Sequence, residues 1–353
     1  MDQAIVDLRS DTVTKPTPAM RRAMAEAEVG DDVYREDPTV NRLQERAAET
    51  FGREAGLYVA SGTMGNQAAI KVHTRPGQEV ICEQRAHIFN FEMAMTAAFS
   101  GCLARPVWAE DGILTWERIA PEVRGRSDHR ARTGLIALEN TSNLAGGSVY
   151  PMAIADEICE RAHAAGLPVH LDGARIFNAS VQLGLSVAEL TKKFDSVMFC
   201  LSKGLGAPVG SMLVGSKEFI EEARLVRKML GGGMRQAGIL AAAGLIALEE
   251  GPRHLPVDHE NARFLANGLA EIPGITINPA KVVTNIVFLD VTKTGLTSFE
   301  ISKRLLAQGI LANGVTAETM RMVTHRDVDR TGCERALRVL HEILKAARGV
   351  AAA

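Results

Sequence analysis

The sequence predicts an α/β protein: a large domain built on a mostly parallel sheet covered by helices, followed by a smaller α+β domain. Two observations carry this. Between about residues 56 and 250, short apolar runs of strand length alternate with longer stretches of helical period. After Glu250-Gly251-Pro252 the order of elements changes. A chain of 353 residues also exceeds what one core usually organises, since cores stop growing at roughly 250–300 residues.

Taken in order, residues 1–15 match no periodicity and end at Pro16 and Pro18, which reads as an extended N-terminal arm. Residues 16–250 form the large domain. Within it, Leu57–Ala60, Glu79–Cys82, Thr133–Leu138, Pro168–Leu171, Ser196–Cys200 and Gly210–Val214 read as strands. Met152 to His163 has apolar positions three and four apart with Gly166 beyond it, the pattern of a helix and its stop. Residues 251–353 form the smaller domain, with helices over 258–271 and 298–308. Its strands are expected at Ile275–Ile277, Asn285–Leu289 and Arg321–Thr324, ahead of a C-terminal helix.

Composition excludes several classes. A net charge of −2 with 23% charged and 46% hydrophobic residues marks neither a nucleic-acid binder nor a membrane-surface protein. The N-terminus lacks a secretion signal, and no apolar run is long enough to span a bilayer, so the chain reads as cytoplasmic. Five cysteines, odd in number and widely spaced, point to buried thiols in preference to disulfides or a zinc site.

The chemistry gathers at strand ends. In Phe194 to Gly206 a strand-like run stops at Ser202-Lys203 and a glycine-rich turn. A strand-end lysine usually snorkels to water, but a Schiff base with pyridoxal phosphate is a chemical reason for placing one there. Asp172, in Leu171-Asp172-Gly173-Ala174-Arg175, ends another strand, where a carboxylate can pair with a protonated pyridine nitrogen or simply cap a helix. Arg175 is within reach of the ring oxygen or a substrate carboxylate. Ser61-Gly62-Thr63-Met64-Gly65 follows a strand and opens a helix, a turn suited to a phosphate. His87 can stack on a pyridine ring and move protons near neutrality. Gly231-Gly232-Gly233 breaks a helical region between Lys228 and Arg235, two cations that would reach a phosphate.

Together these strings resemble the low-specificity L-threonine aldolases of the fold-type I, aspartate-aminotransferase-like pyridoxal phosphate enzymes. The resemblance runs nearly the whole length: the arm from Asp7 to Thr14, Gly30 to Tyr34 with Glu36-Asp37-Pro38, Ser61 to Met64, His87-Ile88, Glu139-Asn140-Thr141, Asp172 to Arg175, Leu201 to Gly206, Gly231 to Gln236, and Arg321 to His325. It implies a mostly parallel, seven-stranded sheet in the large domain. It also implies retro-aldol cleavage of threonine, allo-threonine and related β-hydroxy-α-amino acids to glycine and an aldehyde. Lys203 would carry the cofactor, Asp172 would pair with the pyridine nitrogen and His87 would stack on the ring. Gly62, Thr63 and Ser202 would hold the phosphate, joined by Lys228 and Arg235 across a subunit boundary. Ser10, Arg175 and Arg321 match carboxylate-binding positions, and Tyr34 borders the neighbouring subunit's site. The family commonly forms homotetramers built from dimers with active sites at the dimer interface.

One departure concerns the substrate. After Glu139-Asn140-Thr141 the family usually has His then Asn, whereas this chain has Ser142-Asn143. Serine is shorter and is no base near neutral pH without help. That leaves the base open between His87 and a water, and leaves room for bulky substrates such as phenylserine. Other reactions of the same fold, β-elimination, racemisation or transamination, and a non-catalytic homologue remain the competing readings. The chemistry requires no metal.

Overall fold

The computed structural model describes residues 5–351. The chain divides into two compact units, Pro16–Pro252, and Met1–Lys15 together with Arg253–Ala353.

The arm belongs to the smaller unit and is not simply extended. Its strand β1 (Val6–Asp7) is followed by a 3₁₀ turn, Asp11–Val13, in which Thr12 N–H donates to Ser10 Oγ. Leu8 and Asp11 are fully buried.

The larger unit is organised by one seven-stranded sheet. In chain order its strands are β2 (Ala55–Val59), β3 (Glu79–Glu83), β4 (Leu103–Val107), β5 (Thr133–Glu139), β6 (Val169–Asp172), β7 (Ser196–Cys200) and β8 (Ser211–Gly215). Their spatial order is β2-β8-β7-β6-β5-β3-β4. The ladders from β7 through β6, β5 and β3 to β4 are parallel, and β8 runs antiparallel to both its neighbours. The strands β3, β5, β6, β7 and β8 are buried at every position, as a sheet covered on both faces requires. This is why they read as continuous apolar runs and not as alternations. The strand not expected from the sequence is β4. It lies at the sheet edge, is half exposed and contains Pro106, which only an edge strand tolerates.

In the smaller unit, β9 (Ile286–Asp290) pairs antiparallel with β12 (Thr319–Val323), which pairs in turn with the two-residue β11 (Asn313–Gly314). The short β10 (Ile310–Leu311) receives β1 in parallel. The strand expected at Ile275–Ile277 is not formed: only Thr276 bridges, to Asp290, in a short stretch between the turn closed by Ile275 N on Ile272 O and the 3₁₀ turn Pro279–Lys281. Apolar side chains of the helices Leu255–Ala270 and Arg330–Ala351 meet those of β9 and β12, and the arm adds Val6 and Leu8 to that core. Among the described residues, no helix is long and apolar enough to cross a membrane.

Candidate active site

Because β2, β3, β5, β6 and β7 all point the same way, the segments that follow them emerge along one edge of the sheet. Crevices outside the carboxyl ends of strands are where open α/β sheets bind ligands. Here Gly62, Asn66, His87, Glu139, Thr141, Asn143, Asp172, Arg175 and Lys203 line one narrow pocket, with Met198 and Cys200 as its apolar wall.

Each residue arrives there for a local reason. Asp172 is the last residue of β6, and the ladder sets it beside Glu139 of β5 and Met198 of β7. It is 3% exposed. Asp172 Oδ1 accepts from Ala174 N at 3.1 Å, and Oδ2 accepts from Asn66 Nδ2 at 2.7 Å. Lys203 follows β7 in the turn Leu201 to Gly210, which is closed by backbone bonds from Leu201 and Ser202 to Gly210 O. Gly62 opens the helix Gly62–His73, whose N-cap Ser61 accepts from Met64 N. A Cβ on Gly62 would stand 3.0 Å from Cys200 Sγ and 3.2 Å from Met198 Cε, so a larger residue would need those side chains to give way at the pocket wall.

His87 opens a single helical turn after β3. Its backbone N–H donates to Glu139 Oε2 at 2.6 Å, and its Nδ1 lies 2.7 Å from Glu92 Oε1. Burial works against the charged imidazole, but the Glu92 hydrogen bond and the charges of Asp172 and Glu92 outweigh it and raise its pKa. Glu92 is fully buried and receives two further donors, Asn66 Nδ2 at 2.9 Å and Gln67 Nε2 at 2.6 Å. Glu139 is buried beside Asp172, and both burial and that charge push its carboxyl up. Backbone donors from Asn143 and His87 oppose the shift without cancelling it. Arg175 donates to Asn143 Oδ1 at 3.2 Å.

The residues singled out from the sequence therefore separate. Lys203, Asp172, His87, Gly62 and Arg175 share the pocket. Thr63 and Ser202 neighbour lining residues in the chain without lining it themselves. Lys228 lies in the last turn of the helix Lys217–Met229, and Arg235 is paired with Asp31 at 2.9 Å. Tyr34 is 72% exposed. Ser142 is buried, bonded through its backbone to Ser148, with its Oγ turned towards Gly112, while its neighbours Thr141 and Asn143 line the pocket. In the smaller unit, Ser10 caps the arm's 3₁₀ turn and Arg321, on β12, donates to Arg9 O at 3.4 Å.

Glu92, Gln67 and Asn66 were not singled out from the sequence as functional. The signal available was faint: Asn66 and Gln67 are the polar pair on an otherwise small and apolar helix face, and Glu92 sits in no pattern.

The donor set fits pyridoxal phosphate. A lysine and a buried carboxylate face one pocket, an imidazole held by its own carboxylate stands at its wall, and a glycine-opened helix N-terminus offers backbone donors to an anion.

A family model described as beta-eliminating lyase matches residues 7–292. The chain is 46% identical over 328 residues to low-specificity L-threonine aldolase 1 of Arabidopsis thaliana, covering 92% of each. It is 43% identical over 327 residues to the low specificity L-threonine aldolase of Escherichia coli, covering 92% of this chain and 95% of the relative. Among solved structures, the Leishmania major threonine aldolase superposes with a TM-score of 0.79 at 21% identity, covering 96% of this chain and 99% of that one. At that identity the likeness speaks for the fold.

Proposed function

Because the chain belongs to the beta-eliminating lyase family, we propose that it is a pyridoxal phosphate enzyme that cleaves threonine, allo-threonine and related β-hydroxy-α-amino acids to glycine and an aldehyde. The observation that carries this reading is the convergence of Lys203 and Asp172, from the ends of adjacent parallel strands, on one pocket with His87 and Arg175. The activity of relatives more than 40% identical over almost the full length supports the substrate class.

Bound there, pyridoxal phosphate supplies an electrophilic carbonyl carbon and a ring that takes up the electron pair released when the Cα–Cβ bond breaks. Lys203 Nζ is the amine that would hold the cofactor. Asp172 holds a proton on the ring nitrogen, and Asn66 and Ala174 keep its oxygens in place. Backbone donors at Gly62 and Thr63 and the hydroxyl of Ser202 would hold the phosphate. Arg175 offers a planar guanidinium to the substrate carboxylate. His87, oriented through Nδ1 by Glu92, presents Nε2 for proton transfer, which gives this chain an imidazole in place of the one absent at Ser142.

The protein assembles, in this reading, as a homotetramer of dimers with sites at the dimer interface. The support is the set of large apolar side chains left exposed beside site segments, Tyr34 at 72%, Phe91 at 51% and Met93 at 87%. It works in the cytoplasm, where five buried free thiols are at home.

Purified protein loaded with pyridoxal phosphate is expected to release glycine and the matching aldehyde from threonine, allo-threonine and phenylserine. A keto acid or ammonia without aldehyde would move the assignment to transamination or β-elimination.

A further inference from the structure

The hydrogen bonds around Asp172 continue past the pocket wall. Asn66 Nδ2 donates to Asp172 at 2.7 Å and to Glu92 at 2.9 Å, which leaves Asn66 Oδ1 as the acceptor. His170 Nε2 faces that oxygen at 3.1 Å, so His170 carries its ring hydrogen on Nε2. Its Nδ1 then accepts, and Ser196 Oγ, at 2.8 Å, is the donor. The hydroxyl's one proton being committed, Ser196 Oγ accepts from His73 Nε2, also at 2.8 Å. Two carboxylates thus set the direction of every bond from Asn66 to His73.

The fold lines these groups up. His170 and Asp172 are two apart on β6 and face the same side of the sheet. Ser196 is the ladder partner of His170 on β7. Asn66 and His73 are two turns apart on one stripe of the helix Gly62–His73. Asn66, His170 and Ser196 are fully buried. His73 stacks on Phe219 at a centroid distance of 4.7 Å and lines a separate cleft of about 690 Å³ with Arg53, His163 and Asp195. Burial, with the nearby His73 as a smaller cause, depresses His170 to about 3, and burial depresses His73 to about 4, so both rings are neutral at pH 7.

We propose that His170 is a positioning residue: its Nε2–H pins the Asn66 amide with the NH₂ towards Asp172 and Glu92, and Ser196 and His73 hold the tautomer that does so. Without that donor Asn66 Oδ1 is left buried with no partner, and the amide loses the contact that fixes its tilt towards Asp172 and Glu92. The role rests on the reading of Asp172 as the partner of the cofactor nitrogen.

His170→Leu keeps approximate volume and removes the donor, whereas His170→Gln keeps an N–H near the Nε2 position. In the pyridoxal phosphate-loaded protein the leucine variant should lose about tenfold in kcat with KM within about twofold, as expected for one lost orienting bond. Its visible cofactor band should also move, and the glutamine variant should recover at least half of both changes. Equal behaviour of the two variants, or an unmoved band in the leucine variant, overturns the proposal. ¹⁵N-histidine NMR of the wild type at pH 7 should show His170 and His73 as neutral Nε2–H tautomers. An Nδ1–H signal from His170 overturns it independently of any activity. If His170→Leu does not fold, Ser196→Ala carries the test: His170 should become a tautomer mixture with kcat down a few-fold, and no change in either would refute the relay. If the wild type shows the tautomers and the leucine variant the band shift, but the wild type releases no glycine, the aldolase reading alone falls.

Discussion

Both units bury carboxylates, and Glu92 and Asp172 of the larger unit contrast with Asp258 of the smaller. In the larger unit, Glu92 is fully buried yet collects donors from Asn66, Gln67 and His87, and Asp172 collects them from Asn66 and Ala174. In the smaller unit, Asp258 is equally buried, in the first turn of the helix Leu255–Ala270, and neither of its side-chain oxygens has a hydrogen-bond partner among the described residues. Burial, together with the neighbouring Asp11, pushes its carboxyl up to about 8. His254 lies 3.5 Å from Asp258, but burial lowers the imidazole while the carboxyl is raised. Both shifts favour the neutral forms, so the contact is not an ion pair. Burial alone therefore does not settle what surrounds a carboxylate inside the fold: N–H donors meet Glu92 and Asp172, whereas Asp258 has burial and the charge of Asp11 against it.

The largest expected effect tests what the donor-rich network is for. Lys203→Ala should abolish the visible band of the bound cofactor and cut glycine release by ~10³ or more, and a variant with wild-type turnover would detach the network from the chemistry. Asp172→Asn keeps the shape and removes the charge. It should lower kcat by roughly 10²-fold with much less effect on KM, read from steady-state kinetics on threonine. Glu92→Gln sets an amide among donors that need an acceptor. Unfolding titrations should show a loss of about 2–4 kcal/mol.

Asp258→Asn should behave in the opposite sense. Its folded pKa lies above the ordinary value of 3.8, so the stability linked to it is fully present below about pH 4 and is lost as pH rises through about 8. The melting temperature of the wild type should fall across that window, with a linked change on the order of a few kcal/mol. The asparagine variant should flatten the profile, and an unchanged slope would show that the wild-type carboxyl has donors after all. The smallest effect is expected from Ser142→His. Since Ser142 turns to Gly112 while Thr141 and Asn143 line the pocket, the ratio of threonine to allo-threonine cleavage should shift by less than about threefold. A larger shift would return the proton-transfer role to position 142.

What could be read in advance follows the range of the interaction. The buried strands announced themselves because parallel strands covered on both faces are apolar throughout, and Lys203 and Asp172 stood out because each ends such a run with a charge. The edge strand β4, half exposed and interrupted by Pro106, has no such local mark. Nor does the pairing of the arm with β10, which joins segments some three hundred residues apart.

By itself, then, the sequence determined the alternation of strand and helix, the strand-end lysine and aspartate, and through its resemblance the chemistry they serve. These are encoded in spacing within a few residues. Only the tertiary structure decided which polar groups complete the site: Glu92 on Asn66 and His87, Glu139 against Asp172, and His170 behind Asn66. Those contacts join the segment after β3, the strands β5 and β6 and the Gly62–His73 helix across many residues of chain. Hydrogen-bond partners at 2.6–3.1 Å exist only once the sheet has set the register of its strands.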